Sequence, residues 1–496
     1  MNKLKEKISQ FYNVHPIIFL AIIAVLLGFL TSLFANQVSS IVYNLVPSNK
    51  YVNDQGMFTY MGKLLVQGKT PYIDFFDHKG PYIFYYTGLG ELLGGRIGMM
   101  IVQTITFAFF YFFLLKSLIL YKVNVQTTSI VVMLIMALTI FSSQSPSDFE
   151  IDYPFIMASI YFYLRAIQEE NDKYFLYGNI LTGITAGISI HLRATDAMVS
   201  LAMVIYFGVR QIMNKRYANL GINALVCIGG IILASLPPFI HSVMGGFTSL
   251  MYEACIINNF KYVSNSSGED RLFPIICRII IVLTSALIAA SIIISKRKNK
   301  IGKDETLFYG ISFAVIMVIQ FIIAYYPHYL LIIFPLLLVL IGRVLSFIPT
   351  SKGVNYCLQG VMCAACLAGM IYFPVYNHND QFKNDEAINE FINITINEED
   401  KNGKTLCYQT SSAYYLNNNI TVGYGDFAVQ SNHMPIAKDY SFEKIKEYIT
   451  SDKCKYVIID KSYKDDYFTT WLKDESGLHI VTSEAKGNQY ISIYTK

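Results

Sequence analysis

The sequence predicts an α-helical polytopic membrane protein of about eleven spans, followed by a small α/β domain. Three observations carry that prediction. Of 496 residues, 53% are apolar or aromatic and only 15% are charged, against about 25% charged in a soluble globular domain. The apolar residues lie in long runs between residues 14 and 372. The charge also changes sign along the chain. Residues 1–372 carry 26 Lys+Arg and 17 Asp+Glu, net +9, and residues 373–496 carry 13 and 18, net −5. This composition excludes a disordered chain. The overall net charge of +4 gives no reason to expect nucleic acid as a partner.

Apolar runs near 14–35, 97–120, 127–143, 153–168, 174–190, 196–212, 219–241, 273–295, 306–325, 328–347 and 354–372 read as spans. Each must be helical, because the hydrocarbon core offers no water to an unpaired backbone group. The first run follows Lys3, Lys5 and Lys7. A cleaved signal peptide ending at Leu33-Phe34-Ala35 competes with it. The run is nevertheless about 20 residues, enough for the ~30 Å core, and more spans follow. Lys and Arg in short loops set orientation. With the N-terminus cytoplasmic, the inner side collects 17 basic residues, including the run Lys296-Arg297-Lys298, and the outer side 9. An odd number of spans then puts residues 373–496 outside. Residues 1–372 form the membrane part and residues 373–496 the extracytoplasmic domain.

The first outer loop carries Asp54, then Met57, Phe58, Met61, Leu64 and Leu65 on one helical face. An amphipathic interfacial helix is expected over about 54–67, with Gly68 as its C-cap. A turn-rich segment follows, Pro71-Tyr72-Ile73-Asp74-Phe75-Phe76-Asp77-His78-Lys79-Gly80-Pro81. A second interfacial helix is expected over about 82–93, ending at Gly94-Gly95. Later outward turns supply Asp148, Glu150 and Asp152, then His191, Arg193 and Asp196, then Tyr325, Tyr326, His328 and Tyr329. Ionisable groups at membrane depth usually line a cavity or pair with one another, so these loops are expected to build one polar cleft. Carboxylates there can act as a general base or hold a metal, and Lys79 and Arg193 can bind phosphate. Each residue also has a plainer reading. Asp54 can cap its helix, and the three acids after residue 147 can be a solvated loop. Arg193 can simply neutralise Asp196, and His328 can be a satisfied loop histidine. The tyrosines sit where aromatic belts occur anyway.

In the last 124 residues, Lys404–Thr410, Lys455–Asp460, His479–Thr482 and Tyr490–Tyr494 read as strands and Phe442–Thr450 as a helix. The alternation is that of a small α/β domain. Cys407 and Cys454 can be bonded to each other or be small buried residues. Cys363-Ala364-Ala365-Cys366 lies in an apolar run with no His or second pair to complete a zinc site. No Walker loop or Rossmann fingerprint is present.

The order of a first span, Asp54 opening an amphipathic helix, Gly68-Lys69-Thr70-Pro71-Tyr72 and Asp77-His78-Lys79-Gly80-Pro81 resembles the GT-C membrane glycosyltransferases. The resemblance is to the broad group of protein O-mannosyltransferases and aminoarabinose lipid A transferases. The resemblance implies transfer of a sugar from a polyprenyl-phosphate donor to a glycan, lipid or protein acceptor at the outer face of the cell membrane. It implies Asp54 as the catalytic base or acceptor-orienting group, with Asp148 or Glu150 as the second acidic catalytic position, and Lys79 and Arg193 as donor-phosphate ligands. Asp77, His78, Tyr326, His328 and Tyr329 become substrate-binding candidates. A divalent cation, if one is used, would fall to Asp54 and Glu150. Gln55 stands where many relatives carry a second acid, which weakens a paired-carboxylate metal site, and Gly80 separates Lys79 from Pro81. Competing readings are a glycan polymerase or ligase, a transporter or flippase with polar residues at mid-span and two related halves, and an inactive assembly subunit.

Overall fold

A computed structural model of the chain describes residues 13–35, 53–142, 147–258, 272–323, 327–347, 352–377, 383–408, 410, 413–425, 442–461 and 467–496. The chain is mostly helical. Helix α1 (Pro16–Ala35) leads to two loop helices, α2 (Asn53–Val66) and α3 (Tyr82–Leu92). A run of bundle helices follows: α4 (Arg96–Leu120), α5 (Val125–Ser142), α6 (Asp148–Gln168), α7 (Lys173–Ile190), α8 (Met198–Met213) and α9 (Tyr217–Gly245). After the short α10 (Thr248–Tyr252) come α11 (Leu272–Arg297), α12 (Lys303–Ile323), α13 (Phe334–Leu345) and α14 (Lys352–Asn377).

Every expected apolar run falls on helix. Six segments among the described residues are long and apolar enough to cross a membrane: Pro16–Leu33, Arg96–Leu120, Ala194–Met213, Tyr217–Gly245, Arg278–Arg297 and Lys303–Ile322. The expected count of eleven is therefore met only in part, for local reasons. Helix α6 begins with three acids in five residues. The run 328–347 splits into a 3-10 segment, Pro327–Ile333, and the 12-residue α13.

Small residues set the closest helix crossings. A Cβ on Gly28 of α1 would stand 2.5 Å from the Thr104 carbonyl oxygen of α4. On Gly183 of α7 it would stand 2.0 Å from the Cys227 carbonyl of α9. Lipid gives no hydrophobic drive to helix association, so such close backbone contact takes over that role.

The C-terminal part comprises α15 (Lys383–Thr395), β1 (Thr405–Tyr408), α16 (Ala413–Asn417), α17 (Phe442–Thr450), β2 (Tyr456–Asp460), α18 (Tyr467–Asp474), β3 (His479–Ile480) and β4 (Ile491–Thr495). Strand order is β1-β2-β4-β3. β1 and β2 run parallel with Leu406 opposite Val457, and β4 is antiparallel to β2 with Ile493 opposite Ile458. All four β1 residues and the first four of β2 are buried, as in strands covered on both faces. Cys407 and Cys454 are buried free thiols.

Helix α2 does not offer its apolar face to lipid, as an interfacial helix would. Met57, Phe58, Tyr60, Met61 and Leu64 are all buried in one cluster with Tyr415, Ile420 and Val422. Tyr60 stacks on Tyr415 at 5.1 Å, donates to the Ile420 carbonyl at 3.0 Å and accepts from the Val422 N–H at 2.8 Å. The first loop and the C-terminal part thus share a core. Phe76 adds a backbone bond to Gly425 at 2.9 Å.

Candidate functional site

The loop after α2 is shaped by its own polar groups. Gly68, at φ 82°, ends the helix with the paired bonds Gly68 N–H to Leu65 and Lys69 N–H to Leu64, the Schellman pattern that favours glycine. Asp77 Oδ1 accepts the Lys79 N–H at 2.7 Å, a turn that Asp forms with backbone two residues on. The Tyr72 hydroxyl donates to the Lys79 carbonyl at 2.8 Å. Gly80 then lies flat on the turn after α7. Its N–H donates to Leu192 at 2.9 Å, and a Cβ there would stand 1.9 Å from the His191 carbonyl oxygen. Only glycine permits this contact, and it seats residues 77–82 beside residues 191–193.

Lys79 Nζ lies 5.1 Å from the centre of the Phe58 ring. Phe58 is four residues, one helical turn, beyond position 54. Helix α2 starts at Asn53, so Asp54 falls in its first turn rather than ahead of it. The Asp54 side chain is outside the described residues.

The three acids, whose plainer reading was a solvated loop, are wound into the first turns of α6 and buried, with Asp148 5%, Glu150 0% and Asp152 0% exposed. A helix N-terminus favours carboxylates, but at 100° per residue it splits this set. Asp148 and Asp152 share one side and Glu150 takes the other. Glu150 Oε2 accepts from Gln103 Nε2 at 3.0 Å and from the Tyr86 hydroxyl at 3.4 Å. Asp152 accepts from Ser189 at 3.1 Å. Asp148 pairs with Arg193 Nη1 at 3.2 Å.

Arg193 is therefore not only the neutraliser of Asp196. Its Nε donates to both Asp196 oxygens, at 3.0 and 3.1 Å, while Nη1 holds Asp148. The guanidinium ties α6 to the 3-10 turn Ala194–Ala197 that opens α8. His191 is buried, and its Nδ1 bonds the Gly187 carbonyl at 2.9 Å. Burial holds its pKa below the usual histidine value.

The structure thus gathers Asp77, His78, Lys79, Asp148, Asp152, Arg193 and Asp196 at one end of the bundle, as the convergence of loops predicted. It sets Glu150 apart, facing α3 and α4. His78 lies 3.7 Å from Asp77 Oδ1. Tyr326 lies outside the described residues, as do the side chains of His328 and Tyr329. Among the described residues no three His, Cys, Asp or Glu side chains are placed to hold a metal. Sequence reasoning passed over Gln103, Tyr86 and Ser189, which hold the acids in place. Gln103 had a readable signal, since it is an amide within the apolar run of α4. Ser189 gave none.

Residues 16–352 match the family described as "Putative competence-induced protein Ccs4 N-terminal domain". Among solved structures, the chain is similar to the crystal structure of ArnT from Cupriavidus metallidurans bound to undecaprenyl phosphate. The TM-score is 0.64 and the match covers 96% of this chain and 97% of that one, at 10% sequence identity. That identity makes it a likeness of fold. No curated protein matches the sequence.

Proposed function

The chain belongs to the competence-induced Ccs4 N-terminal domain family, and we propose that it is a multi-pass membrane glycosyltransferase of the GT-C type. It moves a sugar from a polyprenyl-phosphate donor to an acceptor outside the cytoplasm. The observation that carries this reading is Lys79, an ammonium placed by the Gly80 contact where the first loop, the start of α6 and the turn after α7 meet. The ArnT fold likeness, in a structure bound to undecaprenyl phosphate, supports a lipid phosphate as the group that Lys79 receives.

The chemistry follows from the charges. The bond between the sugar anomeric carbon and the donor phosphate oxygen breaks, and the acceptor oxygen forms the new bond to that carbon. Polyprenyl phosphate leaves with both electrons of the broken bond, and Lys79 stabilises its growing negative charge. The acceptor hydroxyl loses its proton to a carboxylate within hydrogen-bond reach. Asp54, one helical turn before Phe58 on α2, whose ring Lys79 faces, is the proposed base. Asp148 is the second acid, because it pairs with Arg193, whereas Glu150 faces elsewhere. Arg193, already bound by two carboxylates, positions the site and meets phosphate only alongside Asp148. Asp77, His78, Tyr326, His328 and Tyr329 are proposed for substrate contact. Glu150, half of the pair considered for a cation, has Oε2 engaged by Gln103 and Tyr86, and no step is drawn through a metal. The basic-residue asymmetry supports a site and residues 373–496 that lie outside.

The test is native mass spectrometry of the purified protein with undecaprenyl phosphate, beside mass spectrometry of envelope glycans from cells with and without the protein. Wild type should retain the lipid, and its loss from cells should remove one sugar from an envelope glycan. Lys79→Ala should weaken lipid binding about 10- to 100-fold, the loss of one charge-assisted bond. Lys79→Arg should retain part, keeping charge but not geometry. Unchanged binding in Lys79→Ala would remove the phosphate role.

A further inference from the structure

Two buried acceptors at this junction are unmatched. His191 is 3% exposed. Its Nδ1 faces the Gly187 carbonyl at 2.9 Å, which fixes the proton on Nδ1 and leaves Nε2 an acceptor lone pair. Nε2 has no hydrogen-bond partner among the described residues. Asp77 is fully buried. Its Oδ1 takes the Lys79 N–H, and Oδ2 likewise has no partner among the described residues. Buried polar atoms in native proteins are nearly always satisfied, so two such atoms left open by the described residues mark a place where a bound group can donate.

The two residues are neighbours through backbone. The His191 carbonyl receives the Tyr82 N–H at 3.3 Å and lies against Gly80, three residues after Asp77. The loop of Asp77 and the His191 ring also meet the segment at the end of α10. The His191 ring lies 5.9 Å from Tyr252, and Cys255, three residues on, lies 3.5 Å from the Tyr72 hydroxyl that bonds the Lys79 carbonyl.

The chemistry of the missing partner is constrained. Two acceptors repel a phosphate. A divalent cation takes four or more ligands, and no third His, Cys, Asp or Glu among the described residues joins them. Hydroxyl groups donate to both. In a polyprenyl-phosphate sugar the sugar is bonded directly to the phosphate, so its hydroxyls must sit within a few bonds of the phosphate's ligand, Lys79. Asp77 is two residues away from Lys79 and His191 lies across the Gly80 contact.

We propose that His191 Nε2, together with Asp77 Oδ2, forms the subsite that accepts hydroxyl hydrogens from the sugar of the lipid-linked donor. This rests on the glycosyltransferase reading above. His191 is a binding residue for the sugar, and Lys79 one for the phosphate.

The experiment compares two ligands on the purified full-length protein by native mass spectrometry. One is undecaprenyl phosphate; the other is undecaprenyl phosphate carrying glucose, galactose or mannose. Wild type should hold one hexose-bearing lipid more tightly than the bare lipid. His191→Phe keeps the ring volume and removes the acceptor. It should reduce that preference about tenfold, the loss of one or two ordinary hydrogen bonds, with bare-lipid affinity unchanged. Asp77→Asn can keep the Oδ1 turn while replacing the second acceptor, and should act in the same direction, which covers a His191→Phe that fails to insert. A changed ratio in one variant alone upholds only that residue. If wild type shows no preference, or both variants retain it, the orphans are satisfied by water and the subsite is overturned while the lipid-donor reading stands. If wild type binds no polyprenyl phosphate at all, the underlying reading falls and the subsite with it.

Discussion

At the scale of single residues, Asp54 separates two explanations that the sequence left joined. An aspartate ahead of a helix can be there as a cap, but α2 begins at Asn53, so position 54 is already inside the first turn. There a carboxylate gains from the helix dipole about 0.3–1 kcal/mol, which Asn would forfeit. Asp54→Asn should therefore cost under about 1 kcal/mol of stability. If Asp54 is the base, single-turnover transfer should fall by roughly 10²–10⁴-fold while undecaprenyl phosphate still binds. Equal amounts of inserted protein must be compared, and wild-type turnover would remove Asp54 from the mechanism.

At the scale of elements, α6 shows what a sequence can and cannot reveal. Its apolar length was legible, because a long apolar run in lipid has one backbone solution. Asp148-Phe149-Glu150-Ile151-Asp152 left two readings open, a wall of the polar cleft or a solvated loop, because three acids in five residues suit either. Their partners lie far along the chain: Gln103 for Glu150, Ser189 for Asp152 and Arg193 for Asp148. No local pattern announces such pairs. The Lys79 and Arg193 loops could be listed from sequence, but the Gly80 contact that joins them could not. Helical phase now divides the acids by role. Asp148→Asn removes one of the two carboxylates on Arg193 and should slow transfer by about 10²-fold or more. Glu150→Gln keeps groups able to bond Gln103 and Tyr86 and should stay within about tenfold of wild type. Parallel transfer assays on the two variants would decide it, and the reverse order would move the second acid to Glu150.

At the scale of the whole molecule, the bundle has two polar ends. Helix α7 carries Asp172 before its start and His191 after its end, separated by about 27 Å of helix. At the Asp172 end, Arg210 joins Asp172 and Asp304 at 3.4 and 2.8 Å, and Arg343 meets Glu305 at 2.9 Å. Several of the 17 basic residues counted as inner stand here. At the other end are Lys79, Arg193 and their acids. The C-terminal part is fixed to that end, because Tyr60 bonds Ile420 and Val422 and Phe76 bonds Gly425. Residues 413–425 must therefore share a compartment with the first loop, whichever side of the membrane that is. On the charge asymmetry, the side expected is the outer one. A reporter fused after Lys496 should be active only outside the cytoplasm. An impermeant thiol reagent should label Lys298→Cys, an exposed position after α11, only once the membrane is opened, with the unsubstituted protein as background. Cytoplasmic reporter activity together with outside labelling at 298 would invert the molecule as a unit, taking the proposed donor site to the face where polyprenyl-linked sugars would have to be used inside. Activity and labelling on the same side would break the two-ended arrangement, because position 298 and the C-terminal part would then share a face.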